Sequence, residues 1–471
     1  MVPVTEKTPE LKADADQPAA APRMIGRMAH AIGLDRAVGF TVFGRIFQGL
    51  GSVVNVLLIL HFLSLPVQGY YYALWSVVAL QSVFELGFSF VILQVAAHER
   101  VNLQFHPDGA LTGDPVARIR LASLLQRTVR RYTVACLLMG AVLLTGGTRF
   151  FSLHRIASHP DLWVWPLRMT VLAIMIGFAL NPVMSFLEGC GQVVPVSRAR
   201  FFQSVVSAMA AWTAMIMHHG LFAPALVLFG QSAVACAMLW SRRSLLLPLM
   251  RMHAGNRGIR WREEVWPFQW KIAVSWLCDY FIFQLFTPVI FAFRGPAEAG
   301  RMGLSMNIVM QMSGLMLVWM TTKAAPFGSL IARSDNAGLD ALFFRALRQS
   351  LLLLSGASAV VMLGVLAIPH IVPSLGGRIV PWPVFLLLLL TAIGGHIVQS
   401  EAIYLRAHKR EPFLMQSILI AAATAAGVTF FAKTSGTFGV AMAAFVVLGV
   451  CGTVSATTIF FSKRRSWGYA A

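Results

Sequence analysis

The chain has 471 residues, 57% of them hydrophobic and 12% charged, against about 45–50% apolar and about 25% charged in soluble proteins. With a mean hydropathy of +0.70 it has too little ionisable surface for a soluble enzyme and too much apolar side chain for a disordered or collagen-like chain. The formal charge of +19, from 38 Lys and Arg against 19 Asp and Glu, falls mostly between apolar runs, so it reports membrane orientation and not a nucleic-acid partner.

In chain order, residues 1–22 are Pro- and Ala-rich with charges of both signs, and lack the basic-then-apolar order of a signal peptide. Arg23, Arg27 and Arg36 then flank Met24, Ile25, Met28 and Ile32, which predicts a short interfacial helix ending the segment 1–37. A hydrocarbon core about 30 Å thick needs about 20 apolar residues per helix. Runs of that length lie at 38–63, 70–95, 132–152, 163–188, 200–217 and 222–241. A basic linker, 242–267, separates them from a second set at 268–293, 301–322, 347–368, 381–405, 412–432 and 437–461, and 462–471 form a basic tail. The predicted fold is an all-α polytopic membrane protein of about twelve transmembrane helices.

Orientation follows from the connections. Of the 38 Lys and Arg, 30 lie at or beside the tails and one alternate set of turns, 6 at the other set, and Arg45 and Arg168 lie inside spans. Both termini are therefore expected in the cytoplasm, with the basic connections 96–131 and 242–267. The connections on the opposite side are all short, which argues against a membrane enzyme that would hold a glycan acceptor there. No GxxxxGK[ST] loop occurs, so ATP hydrolysis is not expected. Cys136, Cys190, Cys236, Cys278 and Cys451 sit in or beside apolar runs without a CxxC pair. They read as small apolar fillers, with no metal and no cofactor expected.

An ionised group at mid-membrane costs at least about 2.5–3.5 kcal/mol on insertion scales, so each one inside a span needs a partner or a wet cavity. Arg45 in the first span and Glu85 in the second lie at depths about one helical turn apart. Either a structural Arg45–Glu85 bridge or an Arg45 facing a central cleft satisfies them. In the seventh span Lys271 is shallow enough to snorkel; Asp279 is too deep for that and is read as cleft-facing, as a coupling site or a charge partner. Glu188 and Glu401 end the fourth and tenth spans, with Arg406 five residues beyond Glu401. Together they form a candidate inner gate, or simply cap their helices. His396 lies mid-span, either titrating or hydrogen-bonded. Asn181-Pro182 and Thr287-Pro288 mark possible kinks. Gln48, Asn55, Gln81, Gln203, Gln231, Gln284, Asn307 and Gln311 supply amides that either join helices or meet sugar hydroxyls. Trp163, Trp165, Trp382 and Tyr70 to Tyr72 fit an interfacial belt.

The two sets of six spans echo each other. Leu65-Pro66-Val67-Gln68-Gly69-Tyr70 corresponds to Gly295-Pro296-Ala297-Glu298-Ala299-Gly300-Arg301, and Gly189-Cys190-Gly191-Gln192-Val193-Val194-Pro195 to Ala407-His408-Lys409-Arg410-Glu411-Pro412. Two parallel six-helix bundles, 38–241 and 268–461, around a central cleft are expected, the geometry of alternating access.

The stretch Leu65-Pro66-Val67-Gln68-Gly69-Tyr70-Tyr71 followed by Phe84-Glu85-Leu86-Gly87-Phe88-Ser89 resembles the opening of the polysaccharide-export flippases of the MATE-like superfamily, O-antigen flippases included. The likeness is clearest over the first two spans and moderate over 286–310. It implies movement of an undecaprenyl-diphosphate-linked oligosaccharide across a bacterial inner membrane, with polysaccharide polymerase and glycosyltransferases as partner candidates beside membrane lipid. Flippases of this kind use cationic cleft residues for the diphosphate. That makes Arg45 and Lys271 the expected substrate-binding residues, with Glu85 and Asp279 as coupling or charge partners. Arginine suits the task because its planar fork binds phosphate oxygens in pairs, whereas lysine is a point charge. The alternatives are a cation-coupled multidrug exporter of the same superfamily and, from another class, an enzyme or scaffold of glycan assembly.

Overall fold

The computed structural model describes residues 36–101, 103–105, 111–153, 160–252, 258–408 and 410–467. The expected interfacial helix at 23–32 lies outside them. In hydrocarbon a backbone must satisfy its own hydrogen bonds, and a helix stands at each of the twelve expected spans. The first half comprises α1 (Arg36–Phe62), the broken rod α2 (Leu65–Ala79), α3 (Gln81–Glu85) and α4 (Phe88–Arg100), then α5 (Pro115–Phe151), α6 (Val164–Gly189), α7 (Val193–Ile216) and α8 (Ala223–Ser241). The connecting segment carries α9 (Arg243–Arg251) and α10 (Trp261–Glu264). The second half comprises the broken rod α11 (Trp266–Phe283) and α12 (Phe286–Arg294), then α13 (Pro296–Thr321), α14 (Ala324–Ala332), α15 (Asn336–Ile371), α16 (Pro373–Gly376), α17 (Trp382–Ala407), α18 (Leu414–Thr434), α19 (Gly436–Ala444) and α20 (Thr453–Ser466). A π-helical turn, Phe445–Gly452, joins the last two.

Among the described residues, eight helices are long and apolar enough to cross a membrane, and ten spans result when each bent pair counts as one. The other two rods, α1 and α7, are 27 and 24 residues long; α1 contains the shorter apolar stretch Phe47–Phe62, and α7 carries Arg198, Arg200 and Gln203. The chain is a multi-pass membrane protein.

Two helices begin well before the apolar runs that predicted them. Asp114 accepts a hydrogen bond from the Val116 amide at 2.9 Å and starts α5; Asp335 accepts from Gly338 at 2.8 Å and starts α15. Both are N-caps, and the segments that follow carry Arg118, Arg120, Arg127, Arg130 and Arg131 or Asp340 and Arg345, charges that make a hydropathy reading leave them as loop. Among its described residues the connection 96–131 therefore comprises the end of α4, two short antiparallel strands (Leu103–Phe105 with Leu111–Gly113) and the first turns of α5.

That extension of α5 carries a stripe at i, i+3, i+7 and i+11 which holds the connecting segment. Arg120 bridges Glu99 (2.9 Å) and Glu264, the Ser123 hydroxyl accepts from the Ile259 amide at 2.9 Å, and Arg127 donates to the Ile259 carbonyl. The Arg131 guanidinium lies 4.0 Å over the Trp261 ring, and neighbouring Gln126 donates to the carbonyls of Leu249 and Met252 at 2.9 and 2.7 Å. This Arg-rich side is the basic end of the molecule, and the opposite side the far end.

Two rods are broken. In the second, Leu86 (φ 49°) and Gly87 (φ 68°) take left-handed conformations and the axis bends by 44°, directly after Glu85. In the seventh the bend is 47°, between Phe283 and Phe286. Pro288 has no N–H to give the Gln284 carbonyl four residues back, so the kink expected at Thr287-Pro288 falls one turn earlier. Pro182, by contrast, lies inside an α6 that runs unbroken from Val164 to Gly189. Gly87 is constrained twice, since a Cβ there would stand 2.3 Å from Ile272 Cγ2 on α11. Gly87→Ala is expected to lower stability by about 1–3 kcal/mol through left-handed strain and crowding, read as a lower thermal midpoint in detergent.

The far end is an aromatic core. Tyr70 lies against Phe151 (centroids 5.7 Å) and Phe291 (5.3 Å), and Phe151 stacks on Trp163 at 5.6 Å. This corrects the belt expectation: Tyr70, Tyr71, Tyr72 and Trp163 are buried (0, 2, 6 and 2% exposed), while Trp165 and Trp382 face outward. Rings that reach rings on three different rods gain more from packing than from the membrane interface. A second cluster, around Phe343, Tyr404 and Phe460, closes the basic end of the second half.

Candidate functional site

The halves meet most closely at the far end, where α2 crosses α13. The Gln68 amide donates to the Gly300 carbonyl at 2.8 Å and is fully buried. A Cβ on Gly69 would fall 1.8 Å from the Pro296 carbonyl oxygen, and one on Gly300 would fall 2.9 Å from the Gly69 nitrogen and the Leu65 oxygen. The two Pro-Gly turns read as echoes in the sequence are thus one crossing, in which backbone touches backbone.

Within the second half lies a cavity of about 600 Å³ running from the α11–α12 break to the basic end of α17. Its wall includes Asp279, Gln284, Met306, Met310, Gln399, Arg406 and Gln416. Asp279 and Gln284 are exposed within it, and Asp279 shares its electrostatic surroundings with Arg406 and Glu411. The π-helical turn adds Leu448 and Gly452 to the wall, an irregularity that recurs at functional sites. A smaller cavity of about 340 Å³ occupies the first half, lined by Trp75, Gln81, Glu85, Asn181, Gln203 and Gln231. Each half therefore carries one deep carboxylate beside a helix break. Broken helices gather free backbone groups where a polar solute must be met.

The expected site residues divide as follows. Arg45 lies on α1 and Lys271 on α11, but both side chains are outside the described residues, so the expected Arg45–Glu85 bridge and the cationic pair carry no geometry here. Glu85 closes α3 at the break and lines the first-half cavity. Glu188 pairs with Arg200 at 2.7 Å across the turn between α6 and α7. Glu401 is 3% exposed; one oxygen accepts from the Thr457 hydroxyl at 2.8 Å and the other has no partner among the described residues.

Arg406 does not turn to Glu401, which corrects the grouping of Glu188, Glu401 and Arg406 as one gate. Five residues along a helix rotate a side chain by about 140° at 3.6 residues per turn, so the two face apart. Arg406 instead grips Glu411, with Nη2 to Oε1 at 2.7 Å and Nε to Oε2 at 2.9 Å.

His396 is buried and meets the Ser350 hydroxyl at 2.9 Å, a helix-joining bond between α17 and α15. Several amides do the same: Gln48 donates to Ser204 at 2.8 Å, Gln203 to the Gln231 carbonyl at 3.0 Å and Gln231 to Ser207 at 2.9 Å. Gln284 remains facing the cavity. Sequence reasoning missed Gln399, Gln416 and the Glu411 partner of Arg406. It also missed the Arg120 hub, since its arginines carried only an orientation signal. The spacing 120, 123, 127, 131 was the sign that could have exposed it.

Among the described residues no group of three or more His, Cys, Asp or Glu is arranged to hold a metal ion. At the basic end, the hydrogen bond from Arg120 holds the Glu264 carboxyl below the usual glutamate range.

No protein-family model matches the chain, and no curated protein matches it in sequence. Solved structures do match its fold. An inward-facing multidrug resistance MATE family transporter of the MOP superfamily is similar with a TM-score of 0.60 at 13% identity, covering 90% of this chain and 92% of its own. A eukaryotic MATE transporter gives 0.61 at 12% identity, covering 92% and 96%. A MOP superfamily transporter from Pyrococcus furiosus, described as having a binding pocket of reverse polarity, gives 0.59 at 12%, covering 92% and 94%. The architecture is that of the MATE transporters.

Proposed function

We propose that the chain is an alternating-access flippase that carries an isoprenoid-diphosphate-linked glycan from the cytoplasmic to the outer leaflet of a bacterial inner membrane. The basic end faces the cytoplasm in this reading, in keeping with 30 basic residues against 6. The observation that carries it is a charge-bearing cavity of about 600 Å³ inside one half, combined with a far end closed by backbone contact at Gly69 and Gly300. A solute entering from the basic end meets Asp279, Arg406 and a row of amides, and the two halves stay joined at the far end while the Gly69–Pro296 contact holds. Arg45 and Lys271 hold the diphosphate in this scheme, and Glu85 and Asp279 answer to an ion gradient.

A second reading, a cation-coupled multidrug exporter, is favoured by Asp279 standing exposed in a cavity walled by Phe283, Met306 and Met310. Carboxylate, aromatic ring and thioether suit an organic cation.

Proteoliposomes separate the two. Fluorescent isoprenoid-diphosphate glycan added to one leaflet is expected to become accessible from the other, while ethidium is not accumulated; the opposite pattern selects the exporter. Asp279→Asn is expected to slow gradient-driven movement at least about tenfold, the factor that 1.4 kcal/mol of lost coupling supplies. Export at the wild-type rate by normally inserted Arg45→Ala and Lys271→Ala variants would remove those residues from the substrate site.

A further inference from the structure

Among the described residues lining the second-half cavity, Arg406 is the single permanent cation. Its guanidinium engages Glu411 fork to fork, Nε lying 3.1 and 2.9 Å from the two carboxylate oxygens and Nη2 2.7 Å from Oε1. The side chains are 55% and 39% exposed, and a pair in that setting is worth about 0.2–1 kcal/mol. Glu411 stands in the turn between α17 and α18 and not on a helix, so it can leave without unwinding either one. Phosphate oxygens present the same bidentate edge as a carboxylate and carry more charge. The Gln416 Oε1, on a side chain 9% exposed in the same wall, has no partner among the described residues.

We propose that Arg406 is a phosphate-binding residue of this cavity, and that the Glu411 carboxylate occupies its fork until the diphosphate of a lipid substrate displaces it. The inference rests on the flippase reading above and names one contact within it. Displacement exchanges a weak exposed pair for a bond to a dianion, so loading is favourable. It also frees the turn 410–413 at the cavity mouth.

The two partners must respond in opposite directions. Calorimetric titration of the purified protein with farnesyl diphosphate is expected to show about tenfold or more weaker binding in Arg406→Gln, the scale of a lost charge-assisted hydrogen bond. Glu411→Gln is expected to bind about two- to fivefold more tightly, because a competitor worth less than about 1 kcal/mol is gone. Farnesol should be indifferent to both changes. A pair that merely staples the turn would weaken binding in both variants, and that result, or no change in either, overturns the proposal while leaving the flippase reading intact. Inorganic diphosphate binding as tightly as farnesyl diphosphate, with the same response to the variants, would keep the arginine site and overturn its lipid assignment. If the wild-type protein binds no isoprenoid diphosphate, the substrate reading and the Arg406 assignment fall together.

Discussion

Replacing Gly69 with valine is expected to hold the far end open. The first side-chain carbon would stand 1.8 Å from the Pro296 carbonyl oxygen, a backbone atom that no rotamer change can move. The rods α2 and α13 must separate, and the buried Gln68–Gly300 bond at 2.8 Å goes with them. Driving a two-state equilibrium from 99:1 to 1:99 takes about 5.5 kcal/mol, and overlap of that depth with a main-chain atom exceeds it. Spin labels at His219→Cys and Phe438→Cys, with exposed Cys236 and Cys451 replaced by serine, should report a longer and narrower distance distribution in Gly69→Val than in wild type. Gly300→Ala, whose Cβ would lie 2.9 Å from the Gly69 nitrogen, should shift the distribution the same way by a smaller amount. If both variants stay folded with wild-type distances, the crossing is a static joint and alternating access does not run through it.

The same crossing illustrates how much the sequence carried. Hydropathy located the apolar rods because membrane burial is nearly a one-dimensional property, readable window by window. Proline and glycine positions marked the turns, yet that Gly69 touches Pro296 depends on how two bundles dock, and no local pattern encodes docking. Glu85 and Asp279 stood out in the sequence because an acid at depth is costly anywhere. The partners of Arg406 and Glu401 did not, since which carboxylate an arginine meets depends on helix phase and on a turn whose path is set by the helices on either side. The Glu85-Leu86-Gly87 stretch carried a family likeness; its physical content is a left-handed break facing Ile272, which places a carboxylate at a bend.

Removing the Arg120 side chain is expected to release the connecting segment from the first half. The guanidinium serves two carboxylates of unequal standing. The Glu264 side chain is 34% exposed, so that arm is screened and worth about 0.2–1 kcal/mol. Glu99 is 8% exposed, and stripping the partner from a buried charge costs about 3–5 kcal/mol; Arg120 itself is 27% exposed, which puts the loss near the lower figure. In Arg120→Ala the amides of 258–264 should exchange with deuterium faster, together with those of the first turns of α5. Adding Glu99→Gln should restore much of the stability but not the docking, because it removes the stranded charge without replacing the bridge. Acid should mimic the variant. The Glu264 carboxyl is lowered by its bond to Arg120, so its contribution is complete above the ordinary glutamate value of about 4.3 and is lost as pH falls through the lower, folded value. Exchange in 258–264 should therefore be flat from neutrality to about pH 5 once corrected for intrinsic rates, then rise in wild type and not in Arg120→Ala. A segment equally protected in both proteins would mean that Ser123, Gln126 and Arg131 hold it without the hub. The beginning of the seventh rod would then be tied to the first half by packing, and its attachment would be independent of charge.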